Sequence, residues 1–295
     1  MKKTKTRLTF PRAAALALLA AALPFFSRDC RAEEAAAVLS TGTGLYFDAY
    51  LAFQRALGRP LQVFDLSEQK AGPPLGLKTA VAFGAKAAAL DYPRGASVIA
   101  LIAPGFSPRA GRTFTIISSL PEPGQAAAAY KKLQPALSRL AVIHLSPGPT
   151  AYLADLAAAC KRLGIEMISV PLASPADFPP ALRALRGRAD ALWLLPEPAL
   201  ITRTSLSVLT EFSCAAKLPF YAPSPGLAEL GAAASFAPDL ADTAGAAAGA
   251  LQRSLAREKL PPVIYVPRSR LWVNKAFAEK CGFQLNLSAP AEVNP

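Results

Sequence analysis

The stretch "DALWLLPEP", residues 190–198, holds only apolar side chains from Ala191 to Pro196. A short apolar run bounded by turn formers reads as a strand buried on both faces, the kind found in parallel sheets covered by helices. Trp193 is then a core side chain. Glu197 follows at once between Pro196 and Pro198, whose rings restrict the backbone around it. Its carboxylate stands just past the carboxyl end of a buried strand, aimed with little freedom to lose. A plainer reading makes Glu197 an acid that favours the dipole of a helix over 201–216.

The same pattern recurs on both sides of this run. Candidate strands are "AAVLS" (36–40), "LQVFDL" (61–66), "TAVAFG" (79–84), "SVIALIA" (97–103), "TFTIIS" (113–118), "LAVIHLS" (140–146), "IEMISVPL" (165–172), "ALWLL" (191–195), "PFYAP" (219–223) and "AAASFAP" (232–238). Amphipathic, alanine-rich stretches predict helices over 43–57, 84–90, 124–138, 149–163, 176–186, 201–216 and 239–257. Strand–helix alternation with near-continuous apolar strands predicts an α/β chain with parallel sheets. Ten strands are many for one such sheet, and the pattern restarts near residue 140. The expectation is two Rossmann-like lobes, 36–118 and 139–232, joined by a crossing at 119–138. Residues 233–295 supply a crossing helix and a C-terminal segment that returns between the lobes.

This architecture says where a site belongs. Ligands of open parallel sheets sit beyond the carboxyl ends of the strands, and clefts between lobes are favoured. The strand ends here are rich in Gly, Pro, Ser and Thr, which expose backbone amides and keep side chains small. The candidate ligand-binding set is Thr41, Thr43, Tyr46, Gly84, Lys86, Ser146, Thr150, Glu197, Ser224 and Asp239. Two of these have an alternative reading as helix caps: the Thr41–Thr43 turn, and Asp239 before the helix at 239–257.

Other chemistries find little support. "LSTGTGLYF" (39–47) with Asp65 imitates a dinucleotide fingerprint, but Phe47 occupies the third glycine position, where a ring is expected to obstruct helix–strand packing. "GPPLGLKT" (72–79) misses the phosphate-loop spacing. His144, the one histidine, lies within an apolar strand and reads as a core residue with a satisfied ring. No nucleophile elbow, acid pair or metal-ligand spacing stands out, so neither an enzyme nor a cofactor or metal is expected.

The net charge of +12 is unevenly spread, and half of it falls in residues 1–32. "MKKTKTR" followed by "AAALALLAAALPFF" (13–26) reads as a signal peptide ending near Ala32. The apolar core is short for a transmembrane span. Export to the periplasm is expected. Lipidation at Cys30 is disfavoured, because Arg28 and Asp29 sit where small apolar residues are needed. No basic run with interleaved aromatics follows, which argues against nucleic acid. Cys160, Cys214 and Cys281 remain beyond the leader, and allow either one disulfide with one free thiol or three buried thiols.

Motifs of the second half resemble a known family. "RLAVIHLSPGPTAYLADLAAACKRLGIEM", "ADALWLLPEP", "KLPFYAPSPGLAELGAAASFAPDLADTAGAAAGAL" and "LWVNKAFAEKCGFQL" occur in that order. This resembles the ABC transporter substrate-binding proteins whose better-known members take up tryptophan or tyrosine. The positions that carry the likeness are Pro196–Glu197, the Leu218–Ala222 strand, Gly231–Ala232 with Ser235 and Asp239, Gly245, and Val273–Asn274 with Ala278 and Gly282. The resemblance implies a type I periplasmic-binding fold: two lobes, three crossings and a hinge that closes on a small ligand. It implies an importer's binding protein, monomeric, with an ABC permease as partner. The alternative use of the fold is a periplasmic sensor or interaction module. Glu197 stands where the family has an aspartate, Leu240 where an aromatic often follows, and the first lobe is shortened around 66–78 and in "APGFSPRAGRTFTIIS" (103–118).

Overall fold

A computed structural model describes residues 34–68, 76–108, 111–288 and the backbone of 292–294. The expected signal peptide, with Cys30 in it, lies outside these residues. Five strands come first: β1 (Ala35–Leu39), β2 (Gln62–Asp65), β3 (Thr79–Phe83), β4 (Ser97–Leu101) and β5 (Thr113–Ile117). Five more follow: β6 (Arg139–Leu145), β7 (Glu166–Leu172), β8 (Ala191–Leu194), β9 (Phe220–Ala222) and β10 (Ala234–Ala237). Eight of the ten fall within the windows read from the apolar runs, and β1 and β6 each begin one residue ahead of theirs. The chain then adds β11 (Val263–Ile264), β12 (Arg270–Asn274) and β13 (Glu292–Asn294), which no apolar run announced.

The strands form two sheets, in the orders β11-β5-β4-β3-β1-β2 and β13-β12-β10-β9-β8-β6-β7. The pairing is parallel throughout except between β10 and β12. The central strands β1, β3 and β8 are buried at every position. That is the physical reason they read as unbroken apolar runs, since each face of the sheet meets a helical layer.

The helices are α1 (Leu45–Leu57), α2 (Ala85–Ala88), α3 (Pro123–Leu133), α4 (Thr150–Arg162), α5 (Phe178–Leu185), α6 (Arg203–Ala216), α7 (Pro225–Glu229), α8 (Leu240–Leu255) and α9 (Lys275–Cys281). α3 stops short of the expected 138 because Pro135 disfavours helical backbone at Gln134. It lies within the 119–138 stretch, and its buried face joins the core of the second sheet through Ala126, Ala127, Tyr130 and Leu133. The Tyr130 ring stacks on Tyr221 at 4.4 Å and meets Trp193 edge-on at 5.1 Å. Trp193 is thus core, as its place in the apolar run predicted.

Three short connections join the lobes, around 118–122, 238–239 and 265–269. The second carries the chain back to the first lobe, where α8 packs on α1. Its Ala244, Ala247, Ala248 and Ala250 face is fully or nearly fully buried with Leu251. Small side chains let the two helices approach closely, which explains the alanine tract. The third connection returns the chain to the second lobe, where β12 pairs antiparallel with β10. A disulfide between Cys214 of α6 and Cys281 of α9 fastens this return. Cys160 is free and buried, so of the two sequence alternatives the structure has one disulfide and one thiol.

Candidate functional site

The carboxyl ends of both sheets face the gap between the lobes, and two cavities open there. The first, about 550 Å³, runs from the β4 and β5 ends, with Phe106, Ser107 and Ser119, to Gly148–Tyr152 and Pro196–Glu197 of the second lobe. The second, about 380 Å³, lies between Leu45 and Ile102 of the first lobe and Pro223–Leu227 and Trp272 of the second. Pro104, Ser119 and Pro196 border both. Each volume falls in the roughly 300–1,000 Å³ range of small-molecule sites.

Glu197 is the acid of the first cavity. Its backbone carbonyl accepts from Leu200 N at 2.9 Å and Ile201 N at 3.1 Å, closing the turn after β8. α6 is capped by Thr202, whose Oγ1 accepts from Ser205 N at 3.1 Å. The helix therefore has its own side-chain cap, five residues on from Glu197. Among the described residues its carboxylate takes no hydrogen bond or ion pair. Burial pushes its pKa up, and the nearby His144 pulls weakly the other way. A half-buried carboxylate with no internal partner, facing a cleft, is a candidate binding group.

His144 itself is committed. Its Nδ1 lies 2.8 Å from Leu145 O, and its Nε2 lies 2.8 Å from Ser169 Oγ. A carbonyl can only accept, so Nδ1 donates to Leu145 O, and Nε2 is hydrogen-bonded to the Ser169 hydroxyl, which leaves both ring nitrogens satisfied. Gly148 lets the loop after β6 lie on this ring: a Cβ there would stand 2.4 Å from Nδ1.

Thr150, at the start of α4, shares the first cavity with Glu197. Ser224 and Asp239 line the second. The remaining sequence candidates, Thr41, Thr43, Tyr46, Gly84, Lys86 and Ser146, line neither cavity. Several have local work instead. Thr41 Oγ1 donates to Thr43 O at 3.1 Å. Gly84 adopts φ +99°, and a Cβ there would stand 2.4 Å from Ser40 Oγ and 2.8 Å from the Tyr46 ring. Asp239 caps α8 through Asp242 N at 2.6 Å and pairs with Arg270 at 2.9 Å.

The imitation of a dinucleotide site fails for a different reason from the one expected. Phe47 points outward, 39% exposed, and obstructs nothing. Asp65, the acid of the pattern, is consumed inside the loop. It accepts from Ser67 N at 2.8 Å and Ser67 Oγ at 2.7 Å. These bonds hold its pKa low, with smaller help from the Gly42 amide and Lys86.

Sequence reasoning missed Phe106, Ser119, Tyr152 and Tyr265 of the first cavity, and Ile102 and Trp272 of the second. Ala103–Gly105, Gly148, Pro196, Pro223 and Pro238 of the two linings carried a signal, as the ends of apolar runs. Tyr265 belongs to the third connection and comes to the cavity through the chain's return. Burial first, then the charges of Asp155 and Glu122, raise its pKa, so its hydroxyl stays a donor at neutral pH. No metal-ligand cluster is present among the described residues, and no helix there is long and apolar enough to cross a membrane.

The fold as a whole has counterparts in solved structures. A ligand-free, open substrate-binding protein with adhesive properties from Clostridium difficile matches with a TM-score of 0.63 at 13% identity, covering 88% of this chain and 99% of that one. An ABC domain in complex with L-Trp from Streptococcus pneumonia gives 0.59 at 15% identity, covering 87% and 96%. This is the type I periplasmic-binding fold. The fold is shared more widely: an ABC transporter solute-binding protein from Clostridium phytofermentas with bound L-rhamnose matches at 0.51 and 10% identity, covering 84% and 98%. The type I likeness thus extends to relatives with unlike ligands and does not single out the tryptophan-binding kind. No family profile and no curated protein matches this chain.

Proposed function

We propose that this chain is the periplasmic solute-binding protein of an ABC importer, a monomer that captures a small polar or amphipathic ligand between its lobes and presents it to a permease. The observation that carries the reading is the unpartnered Glu197 carboxylate in a cavity of about 550 Å³ between two lobes joined by three short connections. Short connections concentrate rotation at a few residues, which suits hinge closure around a ligand. Glu197 accepts from an ammonium or hydroxyl of the ligand. Thr150 and Tyr265 add hydroxyls, while Phe106 and Tyr152 supply apolar contact. The role is binding without turnover and without a cofactor.

The test is native mass spectrometry of protein purified from its own periplasm, followed by thermal shift with the molecule found. Glu197→Gln should weaken that ligand about 10- to 150-fold, the loss of one charge-assisted hydrogen bond. Because the Glu197 pKa is raised, a cationic ligand should lose affinity on acidification at a higher pH than for an ordinary glutamate. If no small molecule co-purifies and none from a metabolite library raises the melting temperature, the reading fails.

A further inference from the structure

The second cavity differs in chemistry from the first. Two of its polar residues, Asp239 and Thr243, are engaged within the protein. Asp239 holds Asp242 N and Arg270, and Thr243 Oγ1 donates to Asp239 O at 2.7 Å. Beside the small Ser119 and Ser224, what remains toward the space is apolar: Leu45, Ile102, Ile201, Leu227, Leu240 and the Trp272 ring. Leu45 is 56% exposed although it stands at the wall of a cavity, so a large apolar side chain is left uncovered there. Ile102 adopts φ +50°, a conformation in which β-branched residues are genuine outliers. Strain of this kind gathers at ligand sites, where the surrounding structure holds it in place. The two cavities meet at Pro104, Ser119 and Pro196, and the two prolines bring no N–H to that border.

We propose that the cleft takes an elongated amphipathic ligand, with a hydrogen-bond-donating head at Glu197 and an unbranched or flat apolar tail in the Trp272-walled chamber. This rests on the binding-protein reading above and narrows it to a ligand class. Neither cavity alone explains the other: the first offers a carboxylate without a partner, and the second offers mainly apolar surface. A molecule that crosses the proline border satisfies both. A compact polar solute such as a monosaccharide would leave the second chamber wet and its leucines exposed.

The experiment uses n-alkylammonium ions from butyl to decyl, below their micelle concentrations, in isothermal titration with the full chain. Burial of each methylene is worth roughly a fourfold gain in affinity, so Kd should tighten by about that factor per carbon until the chamber is full. The double variant Leu45→Gln, Leu227→Gln should flatten this dependence, and its melting temperature reports whether it folds. Glu197→Gln should weaken all lengths by a similar factor. Binding that depends on Glu197 but not on chain length overturns the tail chamber and leaves the binding-protein reading intact. A length dependence unchanged in the folded double variant places the tail elsewhere and also overturns it. If no alkylammonium binds at any length the inference is overturned, whereas the binding-protein reading is judged separately by the co-purified molecule.

Discussion

Replacing both Cys214 and Cys281 by alanine tests how the returning segment is held. The bond joins residues 67 apart, and the loop it closes contains β9, α7, β10, α8, β11 and β12. It therefore spans the whole excursion of α8 into the first lobe and back. Chain-entropy arithmetic for a loop of this size gives about 4.4 kcal/mol at 25 °C, and measured values for native bonds are typically about 2–4 kcal/mol. Only two sulfur atoms are lost from the contact between α6 and α9, so packing changes add little. With a urea m-value of about 3 kcal/mol/M for a chain of this size, the unfolding midpoint should fall by roughly 1 M with m unchanged. The assay is urea unfolding of the oxidised protein and the variant, followed by circular dichroism. A non-reducing peptide map should contain a linked Cys214–Cys281 pair. Equal midpoints, or alkylation of either cysteine without reduction, would refute the argument that this cross-link secures the return.

Three further outcomes follow from the same geometry. Burial pushes the Cys160 thiol up to about 11, so iodoacetamide at pH 8 should leave it unmodified in the native protein and label it once urea unfolds the chain. Asp190 accepts from Ser138 and Arg139 amides, from the Ser138 hydroxyl and from the Arg139 guanidinium. Burial opposes its ionisation, but these bonds outweigh it and its pKa is lowered. Asp190→Asn should cost roughly 2 kcal/mol at neutral pH. A lowered carboxylate contributes fully above the ordinary aspartate range and loses that contribution as pH falls through the folded value, so wild type and variant should converge in acid unfolding. Gly84→Ala should cost about 1–3 kcal/mol from the positive-φ extended backbone alone, with more from the collision with Ser40 and Tyr46. A drop in melting temperature of roughly 2–4 °C per kcal/mol is the check.

The sequence by itself determined the layers of this protein. Buried parallel strands face helices on both sides, so they must be apolar at every position, and "ALWLL" or "TAVAFG" can hardly be read otherwise. It also placed Glu197 past a strand end, because a strand's last residue and the proline after it are local facts. The return of the C-terminal segment was not local. β12 alternates buried and half-exposed residues and pairs antiparallel across a gap of some thirty residues from β10. β11 is two residues long. Elements so short carry no periodicity to read.

Only the tertiary structure decided which strand ends share a cavity. Thr41, Lys86 and Ser146 satisfy the same local rule as Thr150 and Glu197, yet they line neither space. The rule says that a residue lies at the carboxyl edge of a sheet, and not which part of that edge opposes the other lobe. That depends on where the three connections set the two sheets against each other. Tyr265 and Trp272 reach the cavities only because the chain crosses a third time. The partner of each carboxylate was likewise invisible. Asp65, Asp239 and Glu197 all stand at the end of a regular element or just beyond one, but the first two are bonded within the protein, and Glu197 alone of the three is left with its carboxylate unpaired in the cleft.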